Sequence, residues 1–142
     1  LPIHDLSREK VRMLAAKTKE RGFVNSLVMC DFVPWKVEEW LEAVYAATGF
    51  RLTPKDIQEI GERTLQITWL FNLREGISPE EDRLPERFFA PFRKGSPEAF
   101  LDRRAFQEAL SAYYELLGWE RGIPQPERLR AVGLEEFQDA LA

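Results

Sequence analysis

The feature that most restricts the fold of this chain is a long, uninterrupted run of helix-forming residues from about Pro54 to Glu75. Thr53 precedes the run as a cap, Pro54 takes the first helical position, and Gly76 follows as a stop. Residues 65–71 are apolar on most sides, which is typical of a helix that packs against several neighbours. We therefore predict a central helix around which the other elements pack.

Apolar residues recur at helical spacing along most of the remaining sequence, without the alternation typical of strands. This spacing predicts helices at residues 8–21, 36–48, 102–117 and 127–132, and a terminal turn at 134–141. Gly22, Gly49 and Gly118 are each predicted to end the helix before them. The fold class is all-α: an irregular helical bundle of about five to seven helices, in a single domain spanning residues 1–142.

Three of these helices have a clear apolar face that we expect to be turned toward the core. The predicted face of the first helix consists of Val11, Leu14, Ala15 and Thr18. The predicted face of the second consists of Val37, Trp40, Leu41 and Val44. The predicted face of the helix after Asp102 consists of Phe106, Ala109, Leu110, Tyr113 and Leu117.

Prolines punctuate residues 77–94, which we interpret as a long connection with short helical turns at most. The segment Gly95-Ser96-Pro97 is predicted to be a further break. Connections of this length are usually functional, or they clamp onto another surface.

The formal net charge of −4 argues against a nucleic-acid partner, which would need a positive field. The basic residues at positions 12–21 are interrupted by Glu20, and we interpret them as a solvated helix face. No stretch approaches the roughly 18–20 apolar residues of a membrane span. The N-terminus lacks the features of a signal peptide, so we expect a cytoplasmic protein without a membrane partner.

The only cysteine, Cys30, follows the short apolar segment that begins at Val24. A single thiol cannot build a disulfide framework or a metal site by itself. It is an inert core residue, a lone nucleophile, or one ligand of a site whose other ligands lie outside this chain. The sequence before and after Cys30 leaves these three interpretations open.

We assign no catalytic residue within this chain. His4 is the only histidine, which excludes Ser-His-Asp and HExxH arrangements that need further partners. No local signature supports a pairing of His4 with Cys30. Carboxylates cluster at residues 38–42 and 80–82, where we interpret them as solvated groups on a helix face and in a loop.

The segment Asn25-Ser26-Leu27-Val28-Met29-Cys30 resembles the D-x-x-G-L-C motif of the tungstopterin aldehyde:ferredoxin oxidoreductases. Further blocks of the sequence are similar, in the same order, to the C-terminal helical domain of that family. These blocks are Thr48-Gly49-Phe50, Leu52-Thr53, Glu59-Ile60-Gly61-Glu62-Arg63, Phe71-Asn72-Leu73-Arg74-Glu75-Gly76, Asp82-Arg83-Leu84-Pro85-Glu86-Arg87, Tyr113-Tyr114-Glu115-Leu116-Leu117-Gly118-Trp119 and Gly122-Ile123-Pro124. The resemblance covers residues 24 to the C-terminus.

The resemblance implies an enzyme that oxidises aldehydes to carboxylic acids and passes electrons to ferredoxin. In that family a tungsten ion held by two pterins (a molybdopterin-type cofactor) lies beside a 4Fe–4S cluster. By resemblance, Cys30 is the fourth cluster ligand, and the other three belong to an upstream C-x-x-C-x-x-x-C arrangement. Asn25 would face a pterin, and the backbone from Ser26 through Leu27 and Val28 to Met29 would shape that contact. The N-terminal and middle domains of the same enzyme would then be partners of this chain, which we expect to be inactive alone.

Three residues depart from the family motif: Asn25 replaces Asp, Val28 replaces Gly and Met29 replaces Leu. A β-branched residue at position 28 is strained if the backbone there needs a positive φ. The alternative function is a stand-alone helical interaction module, a diverged paralogue without redox activity. If Cys30 lies where another domain docks, we expect exposed apolar surface around it.

Overall fold

The computed structural model describes residues 4–30, 32–90 and 100–141. The α-helices within these ranges are α1 (Arg8–Ser26), α2 (Val37–Thr48), α3 (Pro54–Arg74), α4 (Arg103–Leu117) and α5 (Pro126–Ala131). Short 3₁₀ turns span Pro79–Glu81, Glu86–Phe88 and Glu135–Leu141. The all-α class is confirmed. The predicted break at Gly95-Ser96-Pro97 and the last part of the proline-rich connection lie outside the described residues.

The central helix α3 begins where its capping residues predicted. The Thr53 hydroxyl accepts a hydrogen bond from the Asp56 backbone N–H, and the Asp56 carboxylate accepts one from the Thr53 N–H at 2.6 Å. The Thr53 hydroxyl also donates to the Asp56 carboxylate at 2.6 Å, and this bond together with the one from the Thr53 N–H lowers the pKa of Asp56 below its usual value. α3 packs most extensively against α1 and also contacts the terminal 3₁₀ turn, which confirms its central position.

The predicted end of α1 at Gly22 is wrong, because the helix continues to Ser26. Gly22 instead lies where α1 crosses Gly61 of α3. A Cβ on Gly61 would lie 1.8 Å from the Lys19 carbonyl oxygen, and one on Gly22 would lie 2.7 Å from the Gly61 carbonyl oxygen. Both glycines are therefore required by the close approach of two helix backbones.

The apolar core consists of two clusters among the described residues. The first joins the end of α1, α2 and the start of α3, and it contains Phe23, Val24, Trp40, Val44 and Ile57. The second joins α3 to the C-terminal elements through Leu70, Leu129 and Leu134. The predicted apolar face of α2 is confirmed, since Val37 and Leu41 also pack against the first cluster.

The predicted faces of α1 and α4 are only partly buried. Val11 and Ala15 are buried, whereas Leu14 of the same predicted face is 55% exposed. In α4, Leu117 is buried, but the predicted inner residues Phe106, Ala109, Leu110 and Tyr113 are only half-buried. Tyr114, which the prediction left out, is buried and donates a hydrogen bond to the Asp82 carboxylate at 2.8 Å.

A two-residue hairpin follows α4, with β1 (Trp119–Glu120) paired antiparallel to β2 (Ile123–Pro124). Its turn residues Arg121 and Gly122 have φ values of 50° and 82°. Positive φ at both positions is the geometry that matches the twist of a tight hairpin. This pairing was not predicted, because two-residue strands are too short to show alternation.

Polar side chains of α3 bind the hairpin and the neighbouring helices. The Gln66 amide is fully buried; it donates to the Leu117 carbonyl at 2.8 Å and accepts from the Trp119 indole at 2.6 Å. The Glu62 carboxylate, also buried, pairs with Lys19 at 2.7 Å and with Arg128. These contacts hold α1, α4 and α5 against one side of α3.

A candidate cofactor-contact segment around Cys30

The segment of interest, residues 25–30, begins in the last turn of α1. The Ser26 hydroxyl donates to the Gly22 carbonyl at 2.8 Å and lies 3.0 Å from the Thr64 hydroxyl of α3. The Leu27 N–H donates to the carbonyls of Phe23 and Val24, which closes the helix. The start of the segment is therefore held by α1 and α3.

The rest of the segment presents alternate side chains to the core and to the outside. Leu27 and Met29 are partly buried and pack against the first apolar cluster. Val28 is 92% exposed, and Cys30 is a free, exposed thiol. The two inward side chains anchor the segment, so that Asn25, Val28 and Cys30 are all exposed.

Val28 adopts a left-handed backbone conformation with a φ of 55°. Its N–H donates to the Asn25 carbonyl at 3.2 Å, so it occupies the first position beyond the helix cap, where glycine is strongly favoured. The D-x-x-G-L-C motif that this segment resembles has glycine at this position. The structure confirms that the backbone needs the positive φ that strains a valine.

The surface next to Cys30 is apolar, as expected for a docking face. Phe32 is 97% exposed, and Val33 and Trp35 are 42% and 39% exposed. Large apolar side chains at this exposure usually mark a surface that another molecule covers. The prediction of exposed apolar surface around the thiol is confirmed, and Cys30 is not an inert core residue.

Cys30 cannot form a metal site with the side chains around it. Within the described ranges, no group of three or more His, Cys, Asp and Glu side chains is arranged to hold a metal ion. A single soft thiol on an exposed, anchored loop fits the role of one ligand in a larger site. The remaining ligands of such a site would have to come from elsewhere.

A cleft of about 470 Å³ opens beside this segment, between α1 and residues 33–35. Leu14, Lys17, Trp35 and Trp40 are among the residues that line it. The cleft was not predictable from the sequence, because it joins residues of α1 to a loop and to α2. The Pro34-Trp35 pair, which begins four positions after Cys30, was the one sequence signal available.

The fold and the site together define a helical chain that exposes one thiol beside apolar side chains. Comparison with known sequences assigns it further. The sequence profile described as "Aldehyde ferredoxin oxidoreductase, domains 2 & 3" matches residues 2–134. The chain belongs to this family.

Individual relatives agree with the profile. The chain is 34% identical over 139 residues to the tungsten-containing aldehyde ferredoxin oxidoreductases of Pyrococcus horikoshii and Pyrococcus abyssi. It is 33% identical to the enzyme of the same name from Pyrococcus furiosus. Each match covers 94% of this chain but only 23% of the relative. The chain therefore spans about a quarter of the length of these enzymes.

No helix in the described part of the chain is both long and apolar enough to cross a membrane.

Proposed function

We propose that this chain is the C-terminal part of a tungstopterin iron–sulfur oxidoreductase that oxidises aldehydes to carboxylic acids. The overall reaction takes an aldehyde and water to a carboxylic acid, two protons and two electrons, and ferredoxin accepts the electrons. The observation that carries the proposal is the exposed, anchored Cys30 in an uncovered apolar face, within the region that the family profile matches.

Cys30 serves as the fourth ligand of a 4Fe–4S cluster in this proposal. Iron in such clusters prefers soft, anionic thiolate ligands, and Cys30 is the one thiol of the chain. The cluster, when bound, supplies one-electron transfer between the tungsten centre and ferredoxin. Leu27 and Met29 hold the loop on the core, which keeps the position of the thiol constant relative to α1 and α2.

The residues before Cys30 form one wall of the pterin site in this proposal. Asn25 is exposed and carries an amide that both donates and accepts hydrogen bonds, which suits the nitrogens of a pterin. The backbone of residues 26–29 turns sharply at Val28, and Val28 is exposed on the same segment as Asn25 and Cys30. One short segment would thus contact both cofactors.

The wider setting of the chain is part of the same proposal. We take residues 1–142 as one helical domain, and the N-terminal and middle domains of the same enzyme as the partners that cover the Cys30 face. Those domains would supply the other three cluster ligands. We place the enzyme in the cytoplasm, where a reducing environment keeps a lone thiol available as a ligand.

The test is cluster reconstitution in the enzyme that joins this chain to its other domains. The wild type should acquire the visible absorption of a 4Fe–4S cluster after incubation with iron and sulfide, and Cys30→Ser should lose most of it. Ile67→Ser is the control, because it alters an exposed apolar residue of α3 that lies outside the Cys30 segment and its apolar face. Full cluster absorption in Cys30→Ser would contradict the ligand role.

The same experiment addresses the alternative function, a helical interaction module without redox activity. The observation that favours this alternative is the strained valine at a position where the family motif has glycine. Such a module would still assemble with the other domains. It would give the same absorption with and without Cys30.

A further inference from the structure

A second cleft lies between α1 and α4. Its volume is about 480 Å³, and its lining is mostly apolar. Leu6, Met13 and Leu14 border it from the N-terminal side, and Phe106, Ala109 and Leu110 border it from α4. Met13 and Leu14 are 49% and 55% exposed, so the cleft is open in the chain alone.

This cleft adjoins the one beside the Cys30 segment. Leu14 and Lys17 border both, and we call the two adjoining clefts together the α1 cleft, whose lining includes Leu6 at one end and Trp35 at the other. Its far end meets the exposed loop that carries Phe32 and Val33. The part of the enzyme that is proposed to cover the Cys30 face would therefore also lie along α1.

The α1 cleft is lined by residues that were predicted to be buried but are only partly buried or exposed in the described part of the chain. Leu14 belongs to the apolar face of α1, and Phe106, Leu110 and Tyr113 belong to that of α4. Their spacing is that of helix faces packed in a core, yet these side chains border an open cleft. A segment that packed against these two helix faces would complete a helical core.

We infer that the α1 cleft is occupied by an apolar helical segment of the same polypeptide, from the part outside this chain. This inference rests on the proposed function, in which the chain is a quarter of a larger enzyme. Asp5 and Leu6 line the cleft, so a segment joined before Leu1 would be tethered within a few residues of it. A connected segment docks at a high effective concentration, which favours it over a separate partner.

The two methionines of the chain provide the test, since Met13 lies in the cleft and Met29 lies in the cysteine segment. Mild peroxide oxidation is followed by mass spectrometry in the isolated chain and in the enzyme that joins it to its other domains. Because sulfoxide formation follows exposure, Met13 should be oxidised about tenfold more slowly in the enzyme. Equal Met13 oxidation rates in the two proteins would overturn the inference.

Paired variants separate docking from general destabilisation. Leu14→Asp and Phe71→Asp alter side chains of nearly equal exposure, 55% and 54%, and only Leu14 lines the cleft. In the isolated chain both variants should melt within about 2 °C of the wild type, as surface substitutions usually do. In the enzyme, Leu14→Asp alone should return the Met13 oxidation rate to that of the isolated chain. Equal effects of the two variants on Met13 would contradict the inference.

Met13 oxidation and cluster absorption distinguish the docking inference from the proposed cluster role of Cys30. Protected Met13 without Cys30-dependent cluster absorption would support docking and contradict the cluster role. Cluster absorption with unprotected Met13 would do the reverse. If Met13 becomes protected in the isolated chain as its concentration is raised, the occupant is a second copy, and the inference is wrong.

Discussion

At the scale of single residues, the position that stands out is Val28. Among the described residues, Val28 and Arg121 are the non-glycine residues with positive φ, and Val28 is β-branched. A left-handed conformation costs a residue with a Cβ about 1–2 kcal/mol. Val28 is also 92% exposed, so little burial offsets that cost in the chain alone. The strain thus lies two residues before the proposed cluster ligand.

Replacing Val28 with glycine should relieve this strain. We expect Val28→Gly to raise the free energy of unfolding by about 1 kcal/mol, because the gain in backbone fit exceeds the entropy that glycine loses on folding. Urea denaturation of the isolated chain measures the change. Val33→Gly, an exposed valine of the same loop without a positive φ, should not gain stability. A lower stability for Val28→Gly would contradict the assigned backbone strain.

The sequence indicated the candidate segment, residues 25–30, but not its conformation. The segment from Asn25 to Cys30 could be recognised from its residue types and from the blocks that follow. The inward packing of Leu27 and Met29 could not be predicted, because a short apolar run has no clear period. The end of α1 at Ser26 was hidden, since no glycine follows its cap.

At the scale of elements, the contact that organises the fold is the crossing of α1 and α3. Gly22 and Gly61 let the two backbones approach so closely that neither position has room for a Cβ. Lys19 and Ser26, which lie on either side of Gly22 along α1, bind Glu62 and Thr64 on α3. The crossing is therefore fixed by shape and then reinforced by polar contacts.

Gly61→Ala tests this crossing through the sign of its effect. Alanine in an ordinary helix interior is about 1 kcal/mol more favourable than glycine. Here the new Cβ would lie 1.8 Å from the Lys19 carbonyl oxygen, so the helices must separate. We expect a loss of about 2–3 kcal/mol in the free energy of unfolding, measured by urea or thermal denaturation. A stabilised Gly61→Ala chain would show that the helices do not approach this closely.

The start of α3 should make stability depend on pH in the acid range. The folded-state pKa of Asp56 is lowered by its hydrogen bonds with Thr53. Its carboxylate therefore stabilises the fold above the unfolded pKa of about 3.9, and this contribution is lost as the pH falls through the folded value. Melting temperatures recorded from pH 6 downward should drop more steeply for the wild type than for Asp56→Asn. Parallel curves would contradict the role of the charge.

Helix ends were predictable where the chemistry of the cap is local. Thr53 and Asp102 start α3 and α4, and Gly49 and Gly118 end α2 and α4, as their residue types indicated. Gly22 shows the limit of this reasoning. A glycine that stops a helix and a glycine that admits a second helix look the same in sequence, and only the position of Gly61 distinguishes them.

At the scale of the whole molecule, a buried charge cluster connects elements that are distant in sequence. Glu62 of α3 lies between Lys19 of α1 and Arg128 of α5, and its side chain is only 6% exposed. The two cations compensate a carboxylate that would otherwise be costly to bury. The cluster therefore links the N-terminal, central and C-terminal parts of the fold.

Removing the central charge should destabilise the whole chain. Glu62→Gln leaves two partly buried cations without their anion, and we expect a loss of about 3 kcal/mol in the free energy of unfolding. Glu59→Gln is the matched control on the same helix. It breaks only an exposed pair with Lys55, so its cost should stay below about 1 kcal/mol. Equal costs in urea denaturation would show that the buried cluster contributes no more than a surface pair.

The overall class was predictable, but the distribution of burial was not. Helical periodicity identified the apolar faces of α1, α2 and α4, and only the α2 face is covered as predicted. A pattern shows that a side chain needs a neighbour without showing which chain supplies it. Leu14 and Phe106 were assigned to the core of this chain, whereas here they border an open cleft.

The glycine crossing also limits how this family can change in length. Gly22 is locked against Gly61, and the helix from Gly22 to Ser26 then turns at Val28 to present Cys30. One residue inserted within that stretch would rotate the end of the helix by about 100° and move the thiol to another side. Insertions should accumulate before the crossing or in the loop after the cysteine. The spacing of eight positions from Gly22 to Cys30 should stay constant in homologues that keep a cysteine as the proposed cluster ligand.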